Sequence, residues 1–338
     1  MTEILIIGEA YEEHEERERM PFVGPSGYEL TRMLNEAGIS RINCYLTNVL
    51  NLRPNGNNIE SLCGPRQDSI PGYPAIIKGK YLRKEFLPEL ERLQQEIMDV
   101  NPNIIIAMGN TALWSLLGVG GISNRRGSIC SSTHLVEGFK VLPTYHPAAI
   151  LRQWDLRPVT VLDLHKARRE SAFPEVVRPS RQVWTEPDIN DLEVFYDEFI
   201  QGCSRLSVDI ETIGDQISCI GFAPSKEISL VVPFIDFRRA RGSYWANLEI
   251  ELHAWRFVIR VLNEPCGKIF QNGLFDISVL WRSYKIKVRN PDQDSMLLHH
   301  SLQPESPKAL AFLGSVYTNE ASWKLMRPKH NASLKRDE

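Results

Sequence analysis

The sequence predicts an α/β protein with two domains. In the first half, short runs of β-branched residues and leucine, typical of strands buried on both faces, alternate with amphipathic helical patterns. This alternation predicts a three-layer domain, with a parallel sheet between layers of helices. In the second half, three successive strand patterns precede alternating helices and strands, which predicts a second α/β domain. A chain of 338 residues is long enough to bury two cores.

Composition limits the class of protein. Hydrophobic residues make up 43% and charged residues 24%, the proportions of an ordinary globular protein. No apolar run approaches the length of a membrane span and the chain enters a strand pattern at once, so we expect no signal peptide, no membrane partner and a cytoplasmic location. The six cysteines form no Cys-x-x-Cys pair, which indicates a reducing compartment. Because the net charge is −3, DNA binding would need local basic patches.

The first strand pattern, residues 4–10, carries a glycine and a carboxylate near its end. The charged stretch at residues 12–19 is expected to be a solvated loop. Ser26 and Glu29 have the spacing of a capping box, and apolar residues at helical spacing continue to Gly38. We therefore predict a strand, a charged loop and a well-capped helix in this order.

The remaining strands of the first half end in polar residues. The predicted strands cover residues 43–49, 104–109 and 140–145, and the predicted helices cover 80–100 and 161–168. Because the carboxyl ends of parallel strands meet at one edge of a sheet, Glu9, Asn48 and His146 are expected to converge there. A carboxylate, an amide and an imidazole on one rim are more than packing requires, so we predict a functional site.

Several motifs in the first half occur in a fixed order. They are Gly8-Glu9-Ala10, Pro21-Phe22-Val23-Gly24-x-Ser26-Gly27, Tyr45-Leu46-Thr47-Asn48-Val49, Arg53-Pro54, Arg126-Gly127 and Pro143-Thr144-Tyr145-His146-Pro147-Ala148. In order and spacing they resemble the uracil-DNA glycosylase superfamily, and most of all the branch that usually carries an iron–sulfur cluster. The resemblance covers roughly residues 3–169. It implies a glycosylase-like three-layer α/β/α fold and a uracil-containing DNA substrate.

The resemblance also implies roles for individual residues. Glu9 would position water and stabilise a cationic sugar, Asn48 would read the base edge, and His146 would stabilise the leaving anion, so these three are the catalytic candidates. Phe22 would stack on the flipped base, and Arg126 would contact the DNA backbone. The implied substrate-binding set is Gly8, Tyr11, Phe22, Gly24, Ser26 and Arg126.

The sequence departs from the family pattern at two places. Tyr11 and Glu12 replace the usual proline and glycine, and Tyr11 is in a position to block the uracil pocket. The first two cluster cysteines are absent because the chain begins at the first strand, and Cys63 is expected to be a lone buried thiol. We therefore do not expect an iron–sulfur cluster.

The domain division follows from composition and pattern. We expect the glycosylase-like domain at residues 1–170, a proline-containing linker at 171–188, the second domain at 189–328 and a disordered tail at 329–338.

Three acidic residues mark the predicted site of the second domain. Asp209 and Glu211 lie two apart in a strand, so their side chains share a face, and a buried pair there would need a cation. With Asp276 at a helix start, they resemble the first motifs of DEDD-type 3′–5′ exonucleases. The resemblance implies a ribonuclease H-like fold and catalytic Mg²⁺ or Mn²⁺ held by these three carboxylates. The third motif, Tyr or His four residues before Asp, is missing, so we expect a truncated exonuclease domain.

Three functions remain open for the whole chain. The order of the domains resembles the N-terminal part of a bacteriophage family A DNA polymerase, which would act on single-stranded or uracil-containing DNA with a second polypeptide carrying the rest of the polymerase. Such a protein would be located in the cytoplasm of a bacterial host. The alternatives are a stand-alone uracil-DNA glycosylase repair enzyme and a catalytically inactive DNA-binding module.

Overall fold

The structure, a computed structural model, describes residues 3–239 and 241–320. The chain divides into two compact units. The first unit takes in the chain up to Arg178 and again from Ala311, and the second covers Pro179–Leu310. This division differs from the predicted one, because residues 311–320 belong to the first unit and not to the second. The tail predicted at 329–338 lies outside the described residues.

The first unit alternates strands and helices. In chain order its elements are β1 (Ile4–Ala10), α1 (Glu13–Glu18), α2 (Pro25–Glu36), β2 (Cys44–Leu50), β3 (Cys63–Gly64), β4 (Tyr81–Leu82), α3 (Leu87–Val100), β5 (Ile104–Met108), α4 (Gly109–Leu117), α5 (Ile122–Arg125), β6 (Cys130–Thr133), β7 (Glu137–Thr144), α6 (Pro147–Arg152) and α7 (Arg157–Glu170). Short 3-10 turns join several of them, including Arg41–Asn43, Ile59–Leu62 and Trp154–Leu156.

The central sheet of the first unit has the order β2-β1-β5-β7-β6. The first four strands are parallel, as the sequence predicts, and β6 adds an antiparallel edge. Strand β1 is buried from Ile4 to Gly8 and half-buried at Glu9 and Ala10, and β5 is buried throughout. Buried side chains pack on both faces of the sheet as two separate clusters, which confirms the three-layer α/β class.

Two local predictions for the first unit are wrong. The charged stretch forms helix α1, and its Glu15 is only 5% exposed. Helix α2 begins at Pro25 with Gly24 as its N-cap, so Ser26 lies inside the helix and the predicted capping box does not form. Glu29 instead accepts a hydrogen bond from Arg157 Nε at 2.7 Å. Glu29 therefore bonds a residue distant in the sequence, and not Ser26 as the capping-box spacing predicts.

The second unit contains a mixed sheet flanked by helices. Its elements are β8 (Gln182–Trp184), α8 (Ile189–Phe195, extended by a π turn to Ile200), β9 (Arg205–Ile213), β10 (Gln216–Ala223), β11 (Ile228–Pro233), α9 (Leu248–Leu262), β12 (Gly267–Phe270), α10 (Gly273–Tyr284), β13 (Pro291–Asp294) and α11 (Ser295–Leu302). The sheet order is β13-β12-β9-β10-β11-β8. Antiparallel β9, β10 and β11 are followed by β12 and β13, parallel to β9, which is the ribonuclease H-like α/β arrangement predicted. Asp294 caps α11 by accepting a hydrogen bond from Met296 N at 2.8 Å.

The last described helix, α12 (Leu310–Tyr317), returns the chain to the first unit. Lys166, only 2% exposed, donates to the carbonyl oxygens of Gly127 and Thr318, both at 2.7 Å, and to that of Ser315. These contacts give the segment after Ala311 a structural role in the first unit. Among the described helices, none combines the length and apolar character that crossing a bilayer requires.

Candidate active site

A pocket of about 350 Å³ opens at the carboxyl edge of the first unit's sheet. Its wall includes residues that follow β1, β5 and β7, three adjacent strands of the sheet. The wall is formed in part by Glu9, Tyr11, Asn110, Tyr145, His146 and Arg152. The convergence predicted from strand ends therefore holds for Glu9 and His146, whereas Asn48 does not line the pocket and pairs with Gly8 across β1 and β2.

Glu9 is held in place by one hydrogen bond. Thr111, at the start of α4, donates its hydroxyl to Glu9 Oε2 at 2.5 Å. In the described part of the chain no group donates to Oε1, the second oxygen of this carboxylate. Glu9 therefore presents one acceptor to the pocket.

Asn48 packs against the backbone of β1 at Gly8, which the ring of Phe22 also approaches. The side chain is 2% exposed, and its Nδ2 has no hydrogen-bond partner among the described residues. A Cβ atom on Gly8 would overlap Asn48 Oδ1 and would lie 2.7 Å from Phe22 Cζ, so only glycine fits there. A buried amide donor without a partner costs roughly 1–3 kcal/mol, which indicates a position kept for a ligand.

Arg92 on α3 fixes the backbone around Asn48. Its guanidinium donates to the carbonyl oxygens of Asn48 at 2.9 Å and Val49 at 3.2 Å. Glu89 and Glu96 hold the guanidinium from the other side, at 3.1 and 2.7 Å. No local pattern in the sequence indicates this role of Arg92, because its partners Asn48 and Val49 lie more than forty positions away.

Phe22 is buried in an unusual backbone conformation. Its φ is +57°, a region that bulky residues rarely adopt, and the side chain is 2% exposed. Glu15 Oε1 accepts a hydrogen bond from Phe22 N at 2.5 Å, and Arg41 Nη2 donates to Phe22 O at 2.8 Å. A Cβ on Gly27 would overlap the Phe22 carbonyl, so this glycine allows the close approach.

His146 is the N-cap of α6, and its ring is neutral at physiological pH. Nδ1 accepts a hydrogen bond from Ala148 N at 3.2 Å, which places the proton of the neutral ring on Nε2. Burial, and then the charge of Arg152, lower the pKa of His146 to about 4. The ring stacks on Phe22 with a centroid distance of 5.8 Å. A neutral donor of this kind can hydrogen-bond a developing anion.

Tyr11 forms part of the pocket wall. It is 8% exposed, its N donates to Leu52 O at 3.1 Å, and burial raises the pKa of its hydroxyl. The pocket stays open with the ring in this place. The sequence raised the possibility that Tyr11 blocks the pocket, and in the structure it narrows it from one side.

Three predicted substrate contacts lie elsewhere. Gly24 and Ser26 begin α2, and Ser26, 3% exposed, donates to Glu12 Oε1 at 3.4 Å. Arg126 is 4% exposed and donates to Asp163 Oδ2 at 2.8 Å and Ser315 Oγ at 2.9 Å. A guanidinium enclosed in this way cannot contact DNA, so the role expected for Arg126 is corrected to a structural one.

Asp209 and Glu211 of the second unit are exposed, whereas the sequence predicts a buried pair. Along β9 burial alternates strictly from Leu206 to Ile210, which puts Asp209 and Glu211 on the exposed face and not inside an apolar strand. Within residues 3–239 and 241–320, no group of three or more histidine, cysteine, aspartate or glutamate side chains is arranged to hold a metal ion. The predicted three-carboxylate centre of Asp209, Glu211 and Asp276 is therefore not formed by these side chains as placed.

Asp276 alone of the three is buried. At 4% exposure it accepts a hydrogen bond from Ile210 N at 3.0 Å. Burial raises the pKa of Asp276 to about 6, and the charge of Asp209 adds to the rise while the Ile210 bond opposes it. Two acids of the predicted set are thus close enough to influence each other.

Cys63 lies in β3, 7% exposed, and donates its thiol to Ile59 O at 3.4 Å. Burial raises the pKa of this thiol, which keeps it protonated at neutral pH.

Residues 1–169 match the family model of the uracil DNA glycosylase superfamily. The type-4 uracil-DNA glycosylase of Thermotoga maritima is 32% identical over 172 residues, which cover 49% of this chain and 77% of that protein. The type-4 uracil-DNA glycosylase of Saccharolobus solfataricus is 33% identical over 175 residues, covering 49% of this chain and 70% of that protein.

Solved exonuclease domains are also similar to this chain. The EXD2 exonuclease domain soaked in Mn and Mg matches with a TM-score of 0.27 and 15% identity, covering 36% of this chain and 58% of that one. Escherichia coli RNase D matches with a TM-score of 0.30 and 14% identity, covering 42% of this chain and 34% of that one. This similarity concerns the fold alone.

Proposed function

The chain belongs to the uracil DNA glycosylase superfamily, and we propose that its first unit excises uracil from DNA. The observation that carries this proposal is that, among the described residues, Nδ2 of Asn48 has no hydrogen-bond partner and is buried next to Gly8, the residue before Glu9. An amide donor at this position can pair with a carbonyl oxygen of a flipped uracil, which would supply the missing hydrogen bond.

The other residues of the rim have complementary parts in the reaction. Water adds its oxygen to C1′ of the sugar while the C1′–N1 bond breaks, and the electron pair of that bond leaves with uracil. Glu9 Oε1 orients the water and its negative charge stabilises the cationic sugar. Nε2–H of neutral His146 donates to the anionic base, and water's proton is released to solvent or to the base.

An alkaline-cleavage assay tests this proposal. A labelled oligonucleotide containing one uracil should become alkali-labile with the wild-type protein, and Glu9→Gln should slow this by about 100-fold or more. Glu91→Gln, at an exposed position on α3, is the matched control and should keep the wild-type rate. If saturating wild-type protein gave no alkali-labile product, the proposal would be contradicted. The remaining alternative would then be a catalytically inactive DNA-binding module.

A second candidate function, single-stranded DNA binding, concerns the second unit. Leu274 and Phe275, directly before Asp276 at the start of α10, are 78% and 50% exposed. Exposed aromatic and apolar side chains of this kind suit unstacked bases, which favours contact with single-stranded DNA. Phe275→Ala should weaken binding of a fluorescent single-stranded oligonucleotide, and unchanged affinity would contradict this role.

A more specific version of this second candidate function is proofreading. In that version the second unit is the proofreading part of a phage-type polymerase that works with a second polypeptide. The acids do not fit a metal centre as placed, so no metal-dependent step is assigned to them. Shortening of a 3′ end with Mn²⁺ by the wild-type chain, lost in Asp209→Ala, would support exonuclease activity. Shortening that appears only after a polymerase polypeptide is added would support the two-chain form.

A further inference from the structure

We infer that Glu15 and Arg41 are positioning residues that hold the base-stacking ring of Phe22 in place by clamping its main chain from both sides. This inference rests on the proposed uracil excision. It assigns a role to the charged stretch around α1, which family resemblance and composition left without one.

The clamp is visible in its contacts. One carboxylate of Glu15 accepts two backbone N–H groups, that of Phe22 at 2.5 Å and that of Glu12 at 2.7 Å. Arg41 donates to the carbonyl oxygens of Phe22 at 2.8 Å and Gly27 at 3.1 Å. The N–H and the C=O of Phe22 are thus both bound by charged side chains from other elements.

Helix capping explains only half of the Glu15 contacts. As the third residue of α1, Glu15 closes a capping box with Glu12, and this uses Oε2 alone. The second oxygen reaches across seven residues to Phe22 in a setting where Glu15 is 5% exposed. Burying a carboxylate is unfavourable, so a cap alone would be better served by an exposed side chain.

The backbone of Phe22 shows why such a clamp is needed. A φ of +57° is strained for a residue with a large side chain and persists only when its surroundings enforce it. Without the two charged contacts the main chain would relax toward negative φ, which would redirect the ring. The ring contacts Gly8 and stacks on His146, so redirecting it would disturb the pocket.

The first experiment measures the clamp directly and needs no catalysis. Amide hydrogen exchange of Phe22 should be slow in the wild type and at least about 10-fold faster in Glu15→Gln, since Gln has one acceptor where two N–H groups need acceptors. Glu18→Gln, on the same helix with its side chain 53% exposed, is the matched control. Equal protection of Phe22 in Glu15→Gln and wild type would overturn the inference.

A double-mutant cycle on uracil excision then separates positioning from general destabilisation. Glu15→Gln should lower kcat by about 10- to 100-fold with little change in KM, because Glu15 acts through Phe22 and not on DNA. In a Phe22→Leu background the same change should cost less than about 2-fold. Equal losses in both backgrounds would overturn the inference.

Arg41→Met provides an independent variant should Glu15→Gln fail to fold, and it should follow the same pattern. Failure of the inference is distinguishable from failure of the proposed function. In the first case the wild type excises uracil and the variants match it, and in the second the wild type itself forms no product.

Discussion

The ring of Phe22 stacks on the imidazole of His146, with ring centroids 5.8 Å apart and planes inclined by 27°. Phe22 precedes α2 and His146 follows β7, so the pair brings together two segments far apart in the sequence, and His146 also lines the pocket. Gly8 supports both this pair and Asn48, because its missing side chain leaves room for Phe22 Cζ and Asn48 Oδ1.

Gly8→Ala should therefore disable excision. The added methyl group would push Asn48 and Phe22 out of place, and a displacement of about 1 Å can cost about 100-fold in rate. Overpacking should also destabilise the first unit by about 1–3 kcal/mol. Single-turnover kinetics and thermal unfolding check this, and Gly120→Ala is the control because open space surrounds Gly120 and its φ is not positive. Wild-type kinetics in Gly8→Ala would contradict the described packing.

His146 should titrate near pH 4 and not near 6.5. Because its folded-state pKa is lowered, the neutral ring contributes stability that is present above pH 6.5 and is lost as the pH falls toward 4. His146→Asn should remove this dependence, which amounts to roughly 3 kcal/mol. NMR titration of the ring, with exposed His253 as internal comparison, checks it. A midpoint near 6.5 for His146 would contradict its enclosed, neutral state.

Arg126→Met should lower the free energy of unfolding and leave the DNA affinity of the folded protein unchanged. It would leave Asp163 buried without its ionic partner, which costs about 3–5 kcal/mol. Denaturant unfolding should show this loss, whereas Arg169→Met, at an exposed position on α7, should unfold like the wild type. A stable Arg126→Met protein with weakened DNA binding would restore the role predicted from sequence.

Asp276→Asn should stabilise the second unit at neutral pH. Because the folded-state pKa of Asp276 is raised to about 6, the carboxyl contributes stability below pH 3.8 that is lost as the pH rises through 6. The variant should exceed the wild type by roughly 3 kcal/mol at pH 7.5 and match it near pH 3.5. Urea unfolding at both pH values checks this, with Asp215→Asn as the exposed control. Equal stability at pH 7.5 would contradict the burial of Asp276.

Structural features that depend on local periodicity, and residues that lie at strand ends, could be predicted from the sequence. The four parallel strands of the first unit, the place of Glu9 and His146 on one pocket wall, and the position of Asn48 beside Gly8 follow from apolar runs that end in polar residues. The short edge strands β6, β8 and β13 were missed, because three or four residues carry too little pattern.

Residues that act through distant partners could not be found in this way. Glu15 looked like one acid in a charged run, and its contact with Phe22 depends on the folded path of the chain. The sequence around Arg126 is typical of an exposed basic turn, but in the structure its guanidinium is buried and donates to Asp163. For Asp209 and Glu211 a signal was present, since the alternation of Leu206, Val208 and Ile210 with polar residues already indicates an exposed face.

The central claim is that the buried amide of Asn48 reads uracil. The most direct test is release of free uracil from a single-uracil oligonucleotide by wild type and Asn48→Ala, with Asn35→Ala on the exposed face of α2 as control. The wild type and the control should release uracil at equal rates and leave thymine in place, and Asn48→Ala should be at least about 100-fold slower. Undiminished release by Asn48→Ala would contradict the account.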